Sequence, residues 1–148
     1  MAATPIPVSG RFGVTVAVGP LIRIVPVKMP REILVLEDSI IIAMEAEDIF
    51  RALGADLVHI ASNLDQARDY VDTHAIDFAL LDVNLGPTMS FDFARDLRAR
   101  GIPFGFSSGY PDNEGFPEDL RQIALLRKPF GDDMIRDHLK QVFDGATP

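Results

Sequence analysis

Ile33-Leu34-Val35-Leu36-Glu37-Asp38-Ser39 is the stretch on which the fold turns. A short apolar run breaks at once into two carboxylates and then a hydroxyl. Such a run, continuous rather than alternating, reads as a buried strand. Ser39 can cap a following helix, in which Ile42, Ala46, Ile49 and Leu53 recur at i, i+4, i+7 and i+11 until Gly54 stops it.

The same alternation continues toward the C-terminus. Leu57-Val58-His59-Ile60 is a second strand, and Asn63 with Gln66 forms a capping box opening a helix with Leu64, Ala67 and Val71 on one face. Phe78-Ala79-Leu80-Leu81 is a third strand. Ser90 caps a helix holding Ala94 and Leu97, closed by Gly101. Phe104-Gly105-Phe106 and Ala124-Leu125-Leu126 are the fourth and fifth strands. Asp132 or Asp133 opens a last helix with Ile135, Leu139 and Val142 facing in. Continuous apolar strands separated by amphipathic helices predict an α/β fold, a (βα)5 doubly wound parallel sheet of five strands covered on both faces. Tyr110–Ile123 carries two prolines, a glycine and four acids, so the fourth helix is expected to be short, mobile or absent.

Residues 1–30 differ from the rest. They hold Arg11, Arg23 and Lys28 and no acid, a charge of +3 within a net −8, and five of the eleven prolines. They read as an appendage, a hairpin or disordered, to a domain spanning 31–145, with 146–148 a tail. The appendage is expected to be dispensable, and Met29 is an alternative translation start. With only residues 145–148 beyond the last helical pattern, no output domain is expected.

Composition narrows the function. The chain of 148 residues has 47% hydrophobic and 24% charged residues, which is globular usage. It has no cysteine, which excludes disulfides, thiolate metal sites and a cysteine nucleophile. Its three histidines, His59, His74 and His138, are too few for a His-rich metal site; His59 reads as a satisfied histidine in an apolar strand. The net negative charge argues against nucleic acid as a partner. No apolar run reaches the ~20 residues that span a bilayer, so no membrane association and a cytoplasmic location are expected.

In an open parallel sheet, ligands sit beyond the carboxyl ends of the strands. Glu37 and Asp38 follow the first strand, Asp82 the third, Ser107-Ser108 the fourth and Lys128 the fifth, so these side chains converge on one edge. Three carboxylates in one pocket repel and raise each other's pKa unless something neutralises them. A hard dication such as Mg²⁺ (or Mn²⁺) does so. An exposed strand-end carboxylate can act as nucleophile toward phosphorus. The product's oxygens would then be compensated by the metal, the Ser108 hydroxyl and the Lys128 ammonium.

These residues resemble the response-regulator receiver domain of bacterial two-component signalling. The matching stretches are Ile33–Ser39, Leu80-Leu81-Asp82-Val83-Asn84-Leu85, Phe106-Ser107-Ser108-Gly109 and Arg127-Lys128-Pro129-Phe130. The resemblance covers about residues 31–144. It implies a flavodoxin-like receiver fold, phosphoryl transfer to Asp82 from a histidine kinase, and Mg²⁺ held by Glu37, Asp38, Asp82 and the backbone carbonyl of Asn84. It also implies that Ser108 is the hydroxyl switch and Lys128 the ion-pair partner. Pro103-Phe104-Gly105-Phe106-Ser107-Ser108-Gly109-Tyr110 is similar to the fourth strand of the FATGUY receivers, which often stand alone and work with HWE-type or related kinases. Leu125 occupies the place where typical receivers carry an aromatic switch residue. Tyr110 is the tyrosine nearest the pocket and is expected to replace that aromatic in part. Ile40 and Ile41, at the start of the first helix, are the candidate partner face.

On this reading the protein is a stand-alone phosphoacceptor rather than an enzyme, acting by protein contact or as a phosphate sink in a phosphorelay. Two alternatives compete with it, the second of which keeps the fold. A small Mg²⁺-dependent phosphohydrolase of haloacid-dehalogenase type would need a second Asp two residues after the nucleophile, and that position is Asn84, which cannot serve as a general acid. A non-phosphorylated scaffold would have no need of intact site residues.

Overall fold

The computed structural model describes residues 29–110 and 113–144, which excludes the bulk of the N-terminal appendage and the tail. The chain runs β1 (Glu32–Leu36), α1 (Ile40–Ala52), β2 (Leu57–Ala61), α2 (Leu64–Thr73), β3 (Phe78–Asp82), α3 (Phe91–Arg100), β4 (Phe104–Ser108), a 3₁₀ turn (Glu118–Leu120), β5 (Leu125–Arg127) and α4 (Asp132–Asp144). The strands form one parallel five-stranded sheet in the order β2-β1-β3-β4-β5. This is the (βα)5 doubly wound fold expected from the strand–helix alternation.

The sheet divides two cores. On one face Leu34, Leu36, Ala79, Leu81, Phe104 and Phe106 pack against Ala67 and Val71 of α2 and Phe93, Ala94 and Leu97 of α3. On the other, Ile33, Val35, Val58, Phe78, Leu80 and Leu126 meet Ala43, Ala46 and Phe50 of α1 and Ile135 and Leu139 of α4. Met29 lies half-buried against the second core, and Pro30 is buried.

Local chemistry sets the element ends. The Asn63 Oδ1 accepts from the Gln66 N–H at 2.9 Å, as a cap should, while the Gln66 side chain takes the N–H of Ser62 rather than that of Asn63. Gly101 ends α3 at φ 74°, a left-handed conformation that favours glycine. Ser90 precedes α3 but makes no side-chain cap. Its hydroxyl donates instead to the Val83 carbonyl at 3.5 Å. The α1 stripe is also turned from its expected phase. Ala43, Ala46 and Phe50 are buried, while Ile42, Ile49 and Leu53 flank them half-buried. The two alanines let the helix approach the sheet closely, and Ile42 turns toward a groove with Lys128, Pro129 and Phe130. Strand β5 is shifted one residue, because Phe106 pairs with Leu125 and Ser108 with Arg127.

Among the described residues, the segment before β5 contains only the 3₁₀ turn, and it has more apolar anchors than its prolines suggested. Phe116 and Leu120 are buried, and Phe116 packs edge-on against Phe91 and Phe106. Asp119 pairs with Arg95 at 2.9 Å and with Arg98 at 3.6 Å.

His138, on α4, is 2% exposed and packs against Gly105 of β4. A Cβ on Gly105 would lie 2.1 Å from its Nε2, so the glycine exists to admit the ring. Neither ring nitrogen has a hydrogen-bond partner, and burial pushes the imidazole pKa down to about 4.

Candidate functional site

β1 and β3 are adjacent, yet the chain leaves β1 for β2 on one side and reaches β4 from β3 on the other. The crevice beyond their carboxyl ends is therefore the topological switch point, where ligands bind in such sheets. β1 delivers Glu37 and Asp38 there, and β3 delivers Asp82. One carboxylate oxygen from each of the three lies within 4.8 Å of the other two. Glu37 and Asp82 are buried and Asp38 is exposed. A hydrogen bond from the Ser39 N–H to Glu37 Oε2, at 3.0 Å, fixes the first carboxylate at the start of α1.

Lys128 enters from the end of β5. Its backbone N–H donates to the Ser108 carbonyl at 2.8 Å, and the Lys128-Pro129 peptide is cis. The ammonium reaches Glu37 Oε1 at 2.7 Å and Asp82 Oδ1 at 3.1 Å. Burial lowers the Lys128 pKa, but the hydrogen bond to Glu37 and the charges of Asp82 and Glu37 together outweigh it and leave the pKa raised. Asp82 moves the opposite way for a carboxylate. Burial first, and the Glu37 charge second, push it up to about 7 against the pull of Lys128. One ammonium among three carboxylates leaves an excess of two negative charges when all are ionised, on oxygen ligands whose spacing suits a hard dication.

Ser108 is buried at the end of β4, and its Oγ accepts the Tyr110 N–H at 3.0 Å. It also faces a cavity lined by Val83, Asn84, Phe91 and Phe116. Ser107, the register partner of Asp82, is buried as well. Tyr110 is exposed; it lines the same cavity as Ser108 and is tied to it by the backbone N–H. Asn84 is exposed, and its side chain accepts from the Gly86 N–H at 3.0 Å. Leu125 lies half-buried against the α2/α3 core. Ile40 and Ile41 are both exposed, and Met44 is exposed one turn beyond Ile40. Sequence reasoning missed Met44, although its i, i+4 spacing from Ile40 was a readable signal.

Solved structures with this fold include SdrG from Sphingomonas melonis Fr1, 34% identical with a TM-score of 0.70, covering 78% of this chain and 98% of that one. The BeF3-activated conformation of SdrG from Pseudomonas melonis Fr1 is 37% identical with a TM-score of 0.65, covering 73% of this chain and 92% of that one. The REC domain of the Erythrobacter litoralis PhyR response regulator is 27% identical with a TM-score of 0.66, covering 77% and 90%. No family model matches the chain, and no curated protein matches it. The likeness to SdrG, together with the fold and the acidic switch-point pocket, places this chain in the response-regulator receiver family. No helix among the described residues is long and apolar enough to cross a membrane.

Proposed function

We propose that the protein is a phosphoacceptor in a histidine-kinase phosphorelay, with Asp82 as the residue that takes the phosphoryl group. The observation that carries this reading is the Lys128 ammonium held between Glu37 and Asp82 beside Asp38. That arrangement combines a carboxylate nucleophile with the charges that would stabilise the transferred group. A carboxylate oxygen of Asp82 attacks phosphorus, the P–N bond to the kinase imidazole breaks, and the imidazole leaves with the electron pair. Asp82 must be ionised for attack, and its elevated pKa makes neutralisation of the pocket a condition of reactivity. Glu37, Asp38, Asp82 and the Asn84 carbonyl would hold Mg²⁺ or Mn²⁺, which supplies positive charge to the phosphoryl oxygens. Lys128 compensates another oxygen, and Ser108 donates its hydroxyl to a third.

Ser108 Oγ accepts the Tyr110 N–H, so a rotation of Ser108 toward the phosphoryl group would act through that hydrogen bond on the segment beyond it. Signalling through Ile40, Ile41 and Met44, in the manner of a stand-alone FATGUY receiver facing an HWE-type kinase, completes the reading. The protein is then cytoplasmic and a phosphoacceptor rather than an enzyme acting on a separate substrate.

Beryllofluoride with Mg²⁺ tests the switch, as a phosphoryl analogue that cannot be hydrolysed. Amide shifts are expected at Asp82, Ser108 and Tyr110, and a much smaller response in Lys128→Ala. A full response in that variant would remove Lys128 from the mechanism.

A further inference from the structure

We infer that Glu32, His59 and His74 form a binding site for a transition-metal dication of the Zn²⁺ type at the amino-terminal edge of the sheet. The site is separate from the acidic pocket, since Glu32 opens β1 and Glu37 follows its end, roughly 16 Å away at strand rise.

Three elements bring the ligands together. Glu32 pairs in register with Leu57 and Leu34 with His59, so Glu32 and His59 stand on one face of neighbouring strands. His59 Nε2 lies 2.7 Å from Glu32 Oε2, with side chains 15% and 19% exposed. His74 is the C-cap residue of α2, where the chain turns back toward this edge, and its backbone N–H is tied to the Tyr70 carbonyl at 2.9 Å. The His59 and His74 rings lie 4.4 Å apart, and Tyr70 stacks on His59 at 4.8 Å. One ligand atom from each of Glu32, His59 and His74 falls within 4.8 Å of the other two.

The hydrogen bonds around His74 suit a ligand. The Thr73 hydroxyl donates to the Asp69 carbonyl at 2.7 Å, so its oxygen accepts from His74 Nδ1–H at 2.9 Å. This fixes the tautomer and leaves Nε2 with an unshared lone pair, the supporting role that outer-shell partners play at metal-bound histidines. Two imidazoles and a carboxylate suit Zn²⁺ and its neighbours, whereas Mg²⁺ prefers an all-oxygen set. Ligand separations of roughly 3.4 Å are needed around tetrahedral Zn²⁺, and the exposed His74 side chain has room to close that gap. Water would complete the coordination. Binding would replace the His59–Glu32 hydrogen bond with two metal bonds, and would tie the end of α2 to edge strand β2.

The chain has no cysteine, and its remaining histidine, His138, is sealed in the core, so no second imidazole pair competes. Calorimetric titration of the full chain with ZnCl₂, in excess Mg²⁺ to occupy the acidic pocket, tests the site. One Zn²⁺ per chain is expected, with affinity reduced by about tenfold or more in His74→Ala and unchanged in Asp82→Asn. In ¹⁵N spectra the ring nitrogens of His59 and His74 should shift while those of His138 stay in place. Absence of Zn²⁺ uptake, equal affinity in His74→Ala, or uptake abolished by Asp82→Asn would each overturn the assignment.

Discussion

A glutamate opens strand β1 and another directly follows it, and the two have different partners. Glu37 is 3% exposed and bonded to the Lys128 ammonium, which it shares with Asp82. Glu32 is partly exposed and bonded to the His59 ring. At the carboxyl end two buried carboxylates hang on a single lysine, so losing that cation leaves charge without compensation. At the amino end the partner is an imidazole that can be neutral, and water reaches the pair. The difference shows that the same residue type, on the same strand, is committed to different chemistry by what the neighbouring strands bring to it.

The largest expected effect comes from removing the cation. Lys128→Met should lower stability at pH 8 by about 3 kcal/mol, the scale of breaking a buried ion pair, measured by urea unfolding. Mg²⁺ should restore part of the loss. A loss under about 1 kcal/mol, the worth of an ordinary hydrogen bond, would make the two ends of β1 equivalent and break the comparison.

Acid sharpens it from within the core. His138 is held neutral, with its pKa lowered from 6.5 to about 4. Between those values the unfolded chain binds more protons than the folded one, so stability falls as pH drops from 6.5 toward 4. The loss from this residue is on the order of 3 kcal/mol. His138→Leu should flatten that part of the pH profile, and an unchanged slope would reject the assignment to His138.

The acidic pocket responds at a higher pH, and through its metal. Asp82 is raised to about 7, so below that pH a dication must displace its proton. Apparent Mg²⁺ affinity should therefore be about fivefold lower at pH 6 than at pH 7, with little further gain above pH 8. A pH-independent affinity would show that Asp82 is not among the ligands. The smallest effect is at the amino end. His59→Leu, which unlike glutamine cannot keep the bond to Glu32, should cost about 1.5 kcal/mol, the low end for a hydrogen bond to a carboxylate, and a loss matching that of Lys128→Met would again erase the difference.

Much of this was legible in the sequence. The apolar runs located every strand, and the strand-end residues Glu37, Asp38, Asp82, Ser108 and Lys128 converge as the parallel arrangement requires. What escaped depended on contacts between elements distant in sequence. The α1 stripe was misphased because Ala43 and Phe50 owe their burial to the sheet beneath, not to helical periodicity alone. Ser90 was read as a cap because propensity does not show the Val83 carbonyl that takes its hydroxyl. Gly105 within a strand was the one visible sign of His138, since a missing side chain marks a close neighbour. The Glu32–His59–His74 cluster left no spacing signal, because its members meet only when α2 returns to the strand edge.

Whether Asp82 accepts the phosphoryl group is decided by mass spectrometry after incubation with acetyl phosphate and Mg²⁺. One added phosphoryl group is expected on the wild-type chain, lost in Asp82→Asn and lost when the metal is chelated. Equal labelling of Asp82→Asn and wild type would contradict it.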